Sequence, residues 1–170
     1  MPRGIFISKK QLDQSDWLLR SPLISLLLNH LQKQGRKTIA SKVLYKAFDM
    51  IKTLTNKDPL RIFEAAIQTA RPEFSVITTR RGRRSIYYYP CRLRSYKGIS
   101  LCLRWIAIST RKRNGHYMSR KLAREIIATA QNSSRTIRKR RALYKLVKEH
   151  IFRHWKKRKN RKNKRKKPFR

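Results

Sequence analysis

The sequence predicts a mainly α-helical fold: a bundle of six helices, a β-hairpin inserted between helices 3 and 4, and a basic C-terminal tail. Three observations support this prediction. Apolar residues recur every three or four positions along most of the chain. The stretch 73–91 is different, because two strand-like segments rich in β-branched and aromatic residues flank a glycine. Residues 156–170 contain eleven basic and no acidic residues without apolar periodicity, so we expect this tail to be disordered without a partner.

The first helix is predicted to begin at Ser21-Pro22, because serine is a good N-cap and proline suits the first helical position. Leu23, Leu27 and Leu31 share one face of it, and Gly35 should stop it. The second helix should run from near Thr38 to Asn56-Lys57. Its core positions are predicted to be Ile39, Val43, Ala47, Met50, Ile51 and Leu54.

The third helix should open at Asp58-Pro59 by the same cap-and-proline signal and end at Arg71-Pro72, because the residue before proline disfavours helix. The hairpin follows: EFSVITT from Glu73, the turn 80–84, and SIYYYP ending at Pro90. An isolated hairpin is marginally stable, so its base should pack on the helices. Two of the three tyrosines at 87–89 are expected to be packed in the core, leaving at least one for nucleic acid.

Helical periodicity returns after Tyr96 and predicts a central helix up to Asn114-Gly115. A fifth helix should carry the apolar residues between Met118 and Ala130, and a last helix should run from about Thr136 to Trp155. The predicted organisation is therefore an N-terminal extension at 1–20, a helical domain at 21–155 with the hairpin at 73–91, and the tail at 156–170.

The charge of the chain points to a polyanionic partner. It has 46 Lys and Arg against 8 Asp and Glu, a formal net charge of +38 over 170 residues. Only eleven of those basic residues lie in the tail, so the body of the protein is basic too. A compact chain with this charge repels itself unless a dense anion neutralises it.

Several kinds of chemistry lack the residues that they need. The eight acids are widely scattered, which disfavours metal-dependent phosphodiester chemistry, and the isolated glycines form no phosphate-binding loop. Two cysteines make neither a disulfide framework nor a zinc set, and His150 and His154 lack the carboxylate of a metalloprotease motif. No apolar run reaches the length of a membrane span. We therefore expect no enzyme, cofactor, metal, membrane or small-molecule substrate.

The feature that indicates a function most specifically is the hairpin tip, residues 80–84, where four arginines surround Gly82. A solvated turn would explain a charge cluster, but arginine also pairs bidentately with phosphate and stacks on bases. Other basic clusters lie between helices 1 and 2, at both ends of helix 4, and at the start of helix 6. Clusters from several elements favour a broad footprint on folded RNA. The alternative is a DNA-binding or DNA-packaging basic helical protein.

Several blocks of sequence resemble one family in order and spacing. They are GRKTIASKVLYKAF from Gly35, FEAAIQTARPEFSV from Phe63, LCLRWI from Leu101, RKRNGHYMSRKLAREI from Arg111, SSRTIRKRRALYKL from Ser133 and HIFRHW from His150. Between Asp13 and Trp155 the chain resembles the ribosomal protein seven family of the small subunit. The hairpin tip departs from that family in carrying more arginines than its usual glycine-rich sequence. The tail beyond Trp155 extends past the usual end.

The resemblance implies a primary binder of the head (3′ major) domain of small-subunit ribosomal RNA that serves as an assembly scaffold. By position it assigns ribosomal RNA binding to Arg36, Lys37, Arg80, Arg81, Arg83, Arg84, Arg92, Arg94, Lys97, Arg111, Lys112 and Arg113. It places near the exit-site transfer RNA and the messenger RNA path Arg81, Gly82, Arg83, Arg135, Arg138, Lys139, Arg140 and Arg141. Neighbouring head and platform ribosomal proteins would be further partners. Residue bias towards Ile, Asn, Tyr and Lys suggests an organelle genome, with the mitochondrion favoured over a plastid or bacterial cytoplasm.

Overall fold

The structure is a computed structural model that describes the backbone of residues 21–81 and 85–165, and the side chains of 21–79 and 88–152. This part contains six helices and two strands in the order α1 (Pro22–Leu31), α2 (Lys37–Thr55), α3 (Pro59–Ala70), β1 (Phe74–Arg81), β2 (Ser85–Arg92), α4 (Ser95–Arg111), α5 (Met118–Ala130) and α6 (Arg135–Arg165). The strands pair antiparallel, from Phe74 opposite Arg92 to Arg81 opposite Ser85. Six helices with a hairpin between helices 3 and 4 are thereby confirmed.

The helix ends follow the local signals closely. Asp58 caps α3 by accepting a hydrogen bond from the Leu60 amide at 3.1 Å, and Pro59 is the first helical residue. Ser21 takes the N-cap position of α1, although its side chain makes no capping bond. Asn56 ends α2 in the left-handed conformation, with φ of 53°. Gly35, also left-handed, lies in the turn after α1, which already ends at Leu31.

One apolar core joins the helices. α5 packs against α2, α3, α4 and α6, and the rings of Phe48 and Phe63 meet edge to face, with centroids 5.8 Å apart. Two predicted core residues of α2 are exposed: Ile39 is 54% exposed and Leu54 is 65% exposed. Both lie at the ends of α2, which has 19 residues, whereas its neighbours α1 and α3 have 10 and 12. The ends of the longer helix therefore remain uncovered.

The last helix is longer than the apolar pattern predicts. Its backbone continues past Trp155 to Arg165, although the sequence there has no apolar stripe. Lysine and arginine are good helix formers, and neither glycine nor proline interrupts the chain before Pro168. The boundary at 155 therefore does not coincide with a helix end. Residues 166–170 and the predicted N-terminal extension, 1–20, lie outside the described residues.

The hairpin packs on α6, as its predicted marginal stability required. The Glu73 amide donates a hydrogen bond to the Tyr144 hydroxyl at 3.1 Å. The Tyr88 ring stacks on His150, with centroids 4.7 Å apart and planes at 29°. Tyr88 and Tyr89 are each 44% exposed, so the expectation that two of the three tyrosines are core residues is wrong. The reason is that α6 is the only described helix on which either strand packs, so much of the hairpin surface still faces water.

A close backbone approach fixes α4 against the turn that precedes the hairpin. A Cβ on the buried Gly98 would lie 2.7 Å from the Pro72 carbonyl oxygen, which is backbone and cannot rotate away. We expect Gly98→Ala to lower the free energy of unfolding by roughly 1–3 kcal/mol through overpacking. Urea unfolding followed by helical circular dichroism would measure this loss. Thr53→Ala on the exposed side of α2 is the control, and a Gly98→Ala protein as stable as the wild type would contradict the clash.

Candidate nucleic-acid interface

Few cations of the described chain have a carboxylate partner. The described residues include six acids, Asp49, Asp58, Glu64, Glu73, Glu125 and Glu149. Two of them form ion pairs: Asp58 with Arg61 at 4.0 Å, and Glu125 with Arg113 at 2.7 Å. The positive surface of this part of the protein is therefore largely uncompensated from within.

Eight of the predicted binding residues present exposed side chains that make no hydrogen bond or ion pair with another described residue. They are Arg36, Lys37, Arg92, Arg94, Lys97, Lys112, Arg138 and Arg141. They come from the α1–α2 turn, the base of the hairpin, the two ends of α4 and the start of α6. Such side chains are available to a phosphate backbone without first breaking an internal contact.

Three other predicted binding arginines donate hydrogen bonds to carbonyl oxygens at helix ends. Arg111 Nη2 donates to the carbonyl oxygens of His30 at 2.9 Å and Leu31 at 3.4 Å, at the end of α1. Arg135 Nη1 donates to the Lys112 carbonyl at 2.9 Å, just after α4, and Arg140 Nη1 donates to the Thr69 carbonyl in the last turn of α3. The last carbonyls of a helix lack intrahelical donors and carry partial negative charge, so a guanidinium suits them.

Arg113 is tied to a buried carboxylate. Glu125 Oε2 accepts from Arg113 Nε at 3.1 Å and from Nη2 at 2.7 Å. Glu125 Oε1 accepts from the amide and the hydroxyl of Thr136, at 3.2 and 2.9 Å. One side chain in α5 thus joins the α4–α5 loop to the start of α6. Sequence reasoning missed this role of Glu125, although its position three residues after the buried Leu122 was a signal of core spacing.

The structure brings predicted binding residues together in three places. A cleft of about 350 Å³ is bordered by Arg113, Arg135 and Arg138, with Arg124 added. Burial lowers the pKa of the adjacent Lys139, and the positive charges of Lys112 and Arg135 lower it further, although Glu125 opposes them. This arrangement concentrates cations around a single carboxylate.

The other two groups lie at the hairpin base and at the α1–α2 turn. Arg92 and Arg94 share a groove of about 510 Å³ with Arg71. Arg36 and Arg111 share one of about 390 Å³ with Lys33. Burial lowers the pKa of His30, whose carbonyl Arg111 caps, and the charges of Arg104 and Arg111 add to this effect.

The hairpin tip falls largely outside the described residues. The backbone of Arg80 and Arg81 ends β1, but their side chains, and all of Gly82, Arg83 and Arg84, are not described. The described strands show how far the hairpin extends from its base. Arg81 lies seven positions after Phe74 at the base, a distance of about 24 Å in an antiparallel strand.

Cys102 has the character of a buried apolar residue. It is fully buried, and burial raises the pKa of its thiol to about 12, although Arg140 opposes the shift. A thiol with so high a pKa carries far less thiolate near neutral pH than an ordinary thiol, whose pKa is about 8.5. We expect iodoacetamide to label Cys91, which is half-buried, and to label Cys102 only after unfolding.

Peptide mass spectrometry of the folded and the urea-unfolded protein would measure this selectivity. A Cys91→Ser variant should then show almost no labelling while folded. Equal labelling of both cysteines in the folded wild type would contradict the buried position.

No described helix is both long and apolar enough to cross a membrane. Among the described residues, no group of three His, Cys, Asp or Glu side chains is placed to hold a metal ion.

A helical bundle with a projecting basic hairpin and many exposed, unpaired cations is typical of proteins that bind nucleic acid. Comparison with known proteins defines this one further. The chain belongs to the family described as Ribosomal protein S7p/S5e, whose model matches residues 2–150. It is 41% identical over 140 residues to the small ribosomal subunit protein uS7c of Trieres chinensis, covering 82% of this chain and 88% of that protein. It is 35% identical over 147 residues to uS7 of Lactobacillus delbrueckii subsp. bulgaricus, covering 86% and 93%.

The family resemblance inferred from the sequence blocks is confirmed. The protein is a ribosomal protein of the small subunit, and its family is structural and non-enzymatic.

Proposed function

We propose that the protein is a primary binder of the head (3′ major) domain of small-subunit ribosomal RNA and acts there as an assembly scaffold. The observation that carries this proposal is the set of eight exposed, unpaired cations from the α1–α2 turn, the hairpin base, the two ends of α4 and the start of α6. Phosphates repel one another where RNA helices converge, and cations spread over a broad surface neutralise that repulsion. Phosphate contacts position the protein, while RNA shape and unpaired bases provide specificity.

The proposed ribosomal RNA contacts are the free cations at the α1–α2 turn, the hairpin base and the ends of α4, together with the tip arginines Arg80, Arg81, Arg83 and Arg84. Arg111 and Arg113 belong to the same predicted set. Because they contact α1 and Glu125, they would stabilise the fold as well as contribute to RNA binding. The tip and the start of α6 would lie near the exit-site transfer RNA and the messenger RNA path. Head and platform proteins would be neighbours.

The domain limits and the compartment are part of the same proposal. Residues 21–155 would form the RNA-binding domain, with 1–20 and 156–170 as flanking segments. The sequence favoured a mitochondrial ribosome, whereas the uS7c relative from Trieres chinensis supports the plastid alternative. Immunoblotting of purified mitochondria and plastids from the source organism would separate the two compartments.

The test of the function is binding of the purified chain to a head-domain RNA, a scrambled RNA of equal length and a duplex DNA. Affinities would be measured between about 50 mM and about 200 mM salt, where phosphate contacts weaken strongly. We expect a preference for the head-domain RNA that survives the higher salt. Equal binding to all three ligands, lost together as salt rises, would overturn the proposal, and a preference for duplex DNA would favour the DNA-binding alternative.

A further inference from the structure

Three side chains of α6 lie along the hairpin and the turn that leads into it. Arg140 Nη1 donates to the carbonyl of Thr69, and its Cζ lies 5.3 Å from the centroid of the Tyr144 ring. The Tyr144 hydroxyl accepts from the Glu73 amide at 3.1 Å. Arg140 and Tyr144 thus bind on either side of the turn at 71–73, which joins α3 to β1: Arg140 bonds Thr69 just before the turn, and Tyr144 bonds Glu73 at its end. We call this segment the hinge turn.

The opposite side of the hinge turn is held by α4. Arg71 Nη2 donates to Ser95 Oγ at 3.1 Å, and the Pro72 carbonyl lies against Gly98. The Leu93 amide donates to the Glu73 carbonyl at 2.7 Å, which closes the base of the hairpin. The turn is therefore clamped between two helices.

A second contact lies farther along the hairpin. Tyr88 stacks on His150 and pairs with Thr78, four residues from Phe74 at the base. That separation corresponds to about 14 Å of strand. One contact at the base would leave the hairpin free to tilt, whereas two separated contacts on the same helix fix its direction.

Because the hairpin is long, a small change in its direction at the base produces a large displacement of the tip. A tilt of about 10° at the base displaces a tip about 24 Å away by roughly 4 Å. Such a displacement exceeds the range of a hydrogen bond from guanidinium to phosphate.

We propose that Arg140, Tyr144 and His150 are positioning residues that fix the direction of the hairpin and thereby aim its tip arginines at RNA. The inference rests on the proposed function, and it gives Arg140 a role through the fold in place of direct contact with transfer or messenger RNA. The partial burial of Arg140, its bond to Thr69 and its place over Tyr144 support this assignment.

The first experiment is a double-mutant cycle on binding of the head-domain RNA. Tyr144→Phe together with His150→Ala removes the hydrogen bond to Glu73 and the ring stack on Tyr88, while the Arg140 bond to Thr69 remains. This pair is introduced into the wild type and into a chain with the four tip arginines changed to alanine. In the wild-type background we expect affinity to fall about tenfold, roughly what two modest contacts contribute. In the background without tip arginines we expect a change of at most about twofold, because no tip remains to be aimed.

The matched control is Tyr117→Phe together with His116→Ala, which removes the same groups from exposed positions outside the hairpin contacts. It should leave affinity unchanged in both backgrounds. An equal loss from the Tyr144 and His150 changes in both backgrounds would indicate a general structural role and overturn the proposal. An unchanged affinity in the wild-type background would also overturn it.

The second experiment measures the direction of the hairpin in the absence of RNA. A failure of this inference can therefore be distinguished from a failure of the proposed function. Spin labels are attached at Thr79→Cys in β1 and Lys46→Cys in α2, with Cys91 changed to serine. The wild-type links should give a narrow distribution of distances, and the Tyr144→Phe, His150→Ala protein a clearly broader one. Equally narrow distributions would overturn the proposal even if the chain binds its RNA.

Discussion

Replacing Glu125 with alanine is expected to lower the free energy of unfolding by roughly 3 kcal/mol, the lower end of the range for breaking a buried ion pair. The Glu125 side chain is 1% exposed and receives four hydrogen bonds, two from Arg113 and two from Thr136. Its removal leaves Arg113 without a counter-charge and the Thr136 amide and hydroxyl without an acceptor. Because the Arg113 side chain is 31% exposed, water would relieve part of the penalty.

Urea unfolding is the suitable measurement, because guanidinium would screen the charges of so basic a chain. Glu125→Gln should lie between the wild type and alanine, since the amide can still accept from Thr136 but carries no charge. Glu64→Ala, at an exposed position on α3, should change stability by less than about 0.5 kcal/mol. A Glu125→Ala protein as stable as the Glu64→Ala control would show that the buried carboxylate does not hold α6 to the bundle.

Changing Arg80, Arg81, Arg83 and Arg84 to alanine together is expected to leave the fold intact and to weaken binding to ribosomal RNA strongly. Each phosphate contact adds about −0.7 (single strand) or −0.9 (duplex DNA) to the slope of log affinity against log salt. If all four arginines meet phosphate, the slope should become shallower by about 3. Circular dichroism would check the fold, and a salt series on the head-domain RNA would give the slope.

The matched control removes the same number of charges from a different surface. Lys42, Lys46, Lys52 and Lys57 are exposed, lie on or just after α2, and belong to no predicted contact. A specific site predicts a much smaller change of slope for these lysines than for the tip. Equal losses from both variants would describe an unspecific polycation, and normal small subunits assembled with all four tip arginines removed would refute the functional role of the tip.

Local rules account for most of the architecture. Asp58-Pro59 starts α3 and Asn56 ends α2 where the sequence indicates, because a cap or a left-handed residue acts within one turn of its own position. The hairpin was predictable from strand periodicity around Gly82. The uncovered ends of α2 were not, because the exposure of Ile39 and Leu54 depends on how far neighbouring helices extend.

The sequence allowed only part of the candidate site to be predicted. The positions of the basic clusters came from the sequence, but the distinction between free and occupied cations did not. Arg111 donates to the His30 carbonyl, 81 positions away in the sequence, and Arg140 donates to the Thr69 carbonyl, 71 positions away. No local pattern marks such partners.

The sequence by itself determined the number and order of the helices, the hairpin, the polyanionic partner class and the family, because periodicity, caps, net charge and ordered blocks are properties of the chain. Only the tertiary structure decided which arginines are free for RNA, why Glu125 is buried, and how α6 holds the hairpin. Those outcomes depend on which distant carbonyls and carboxylates packing brings within hydrogen-bond distance.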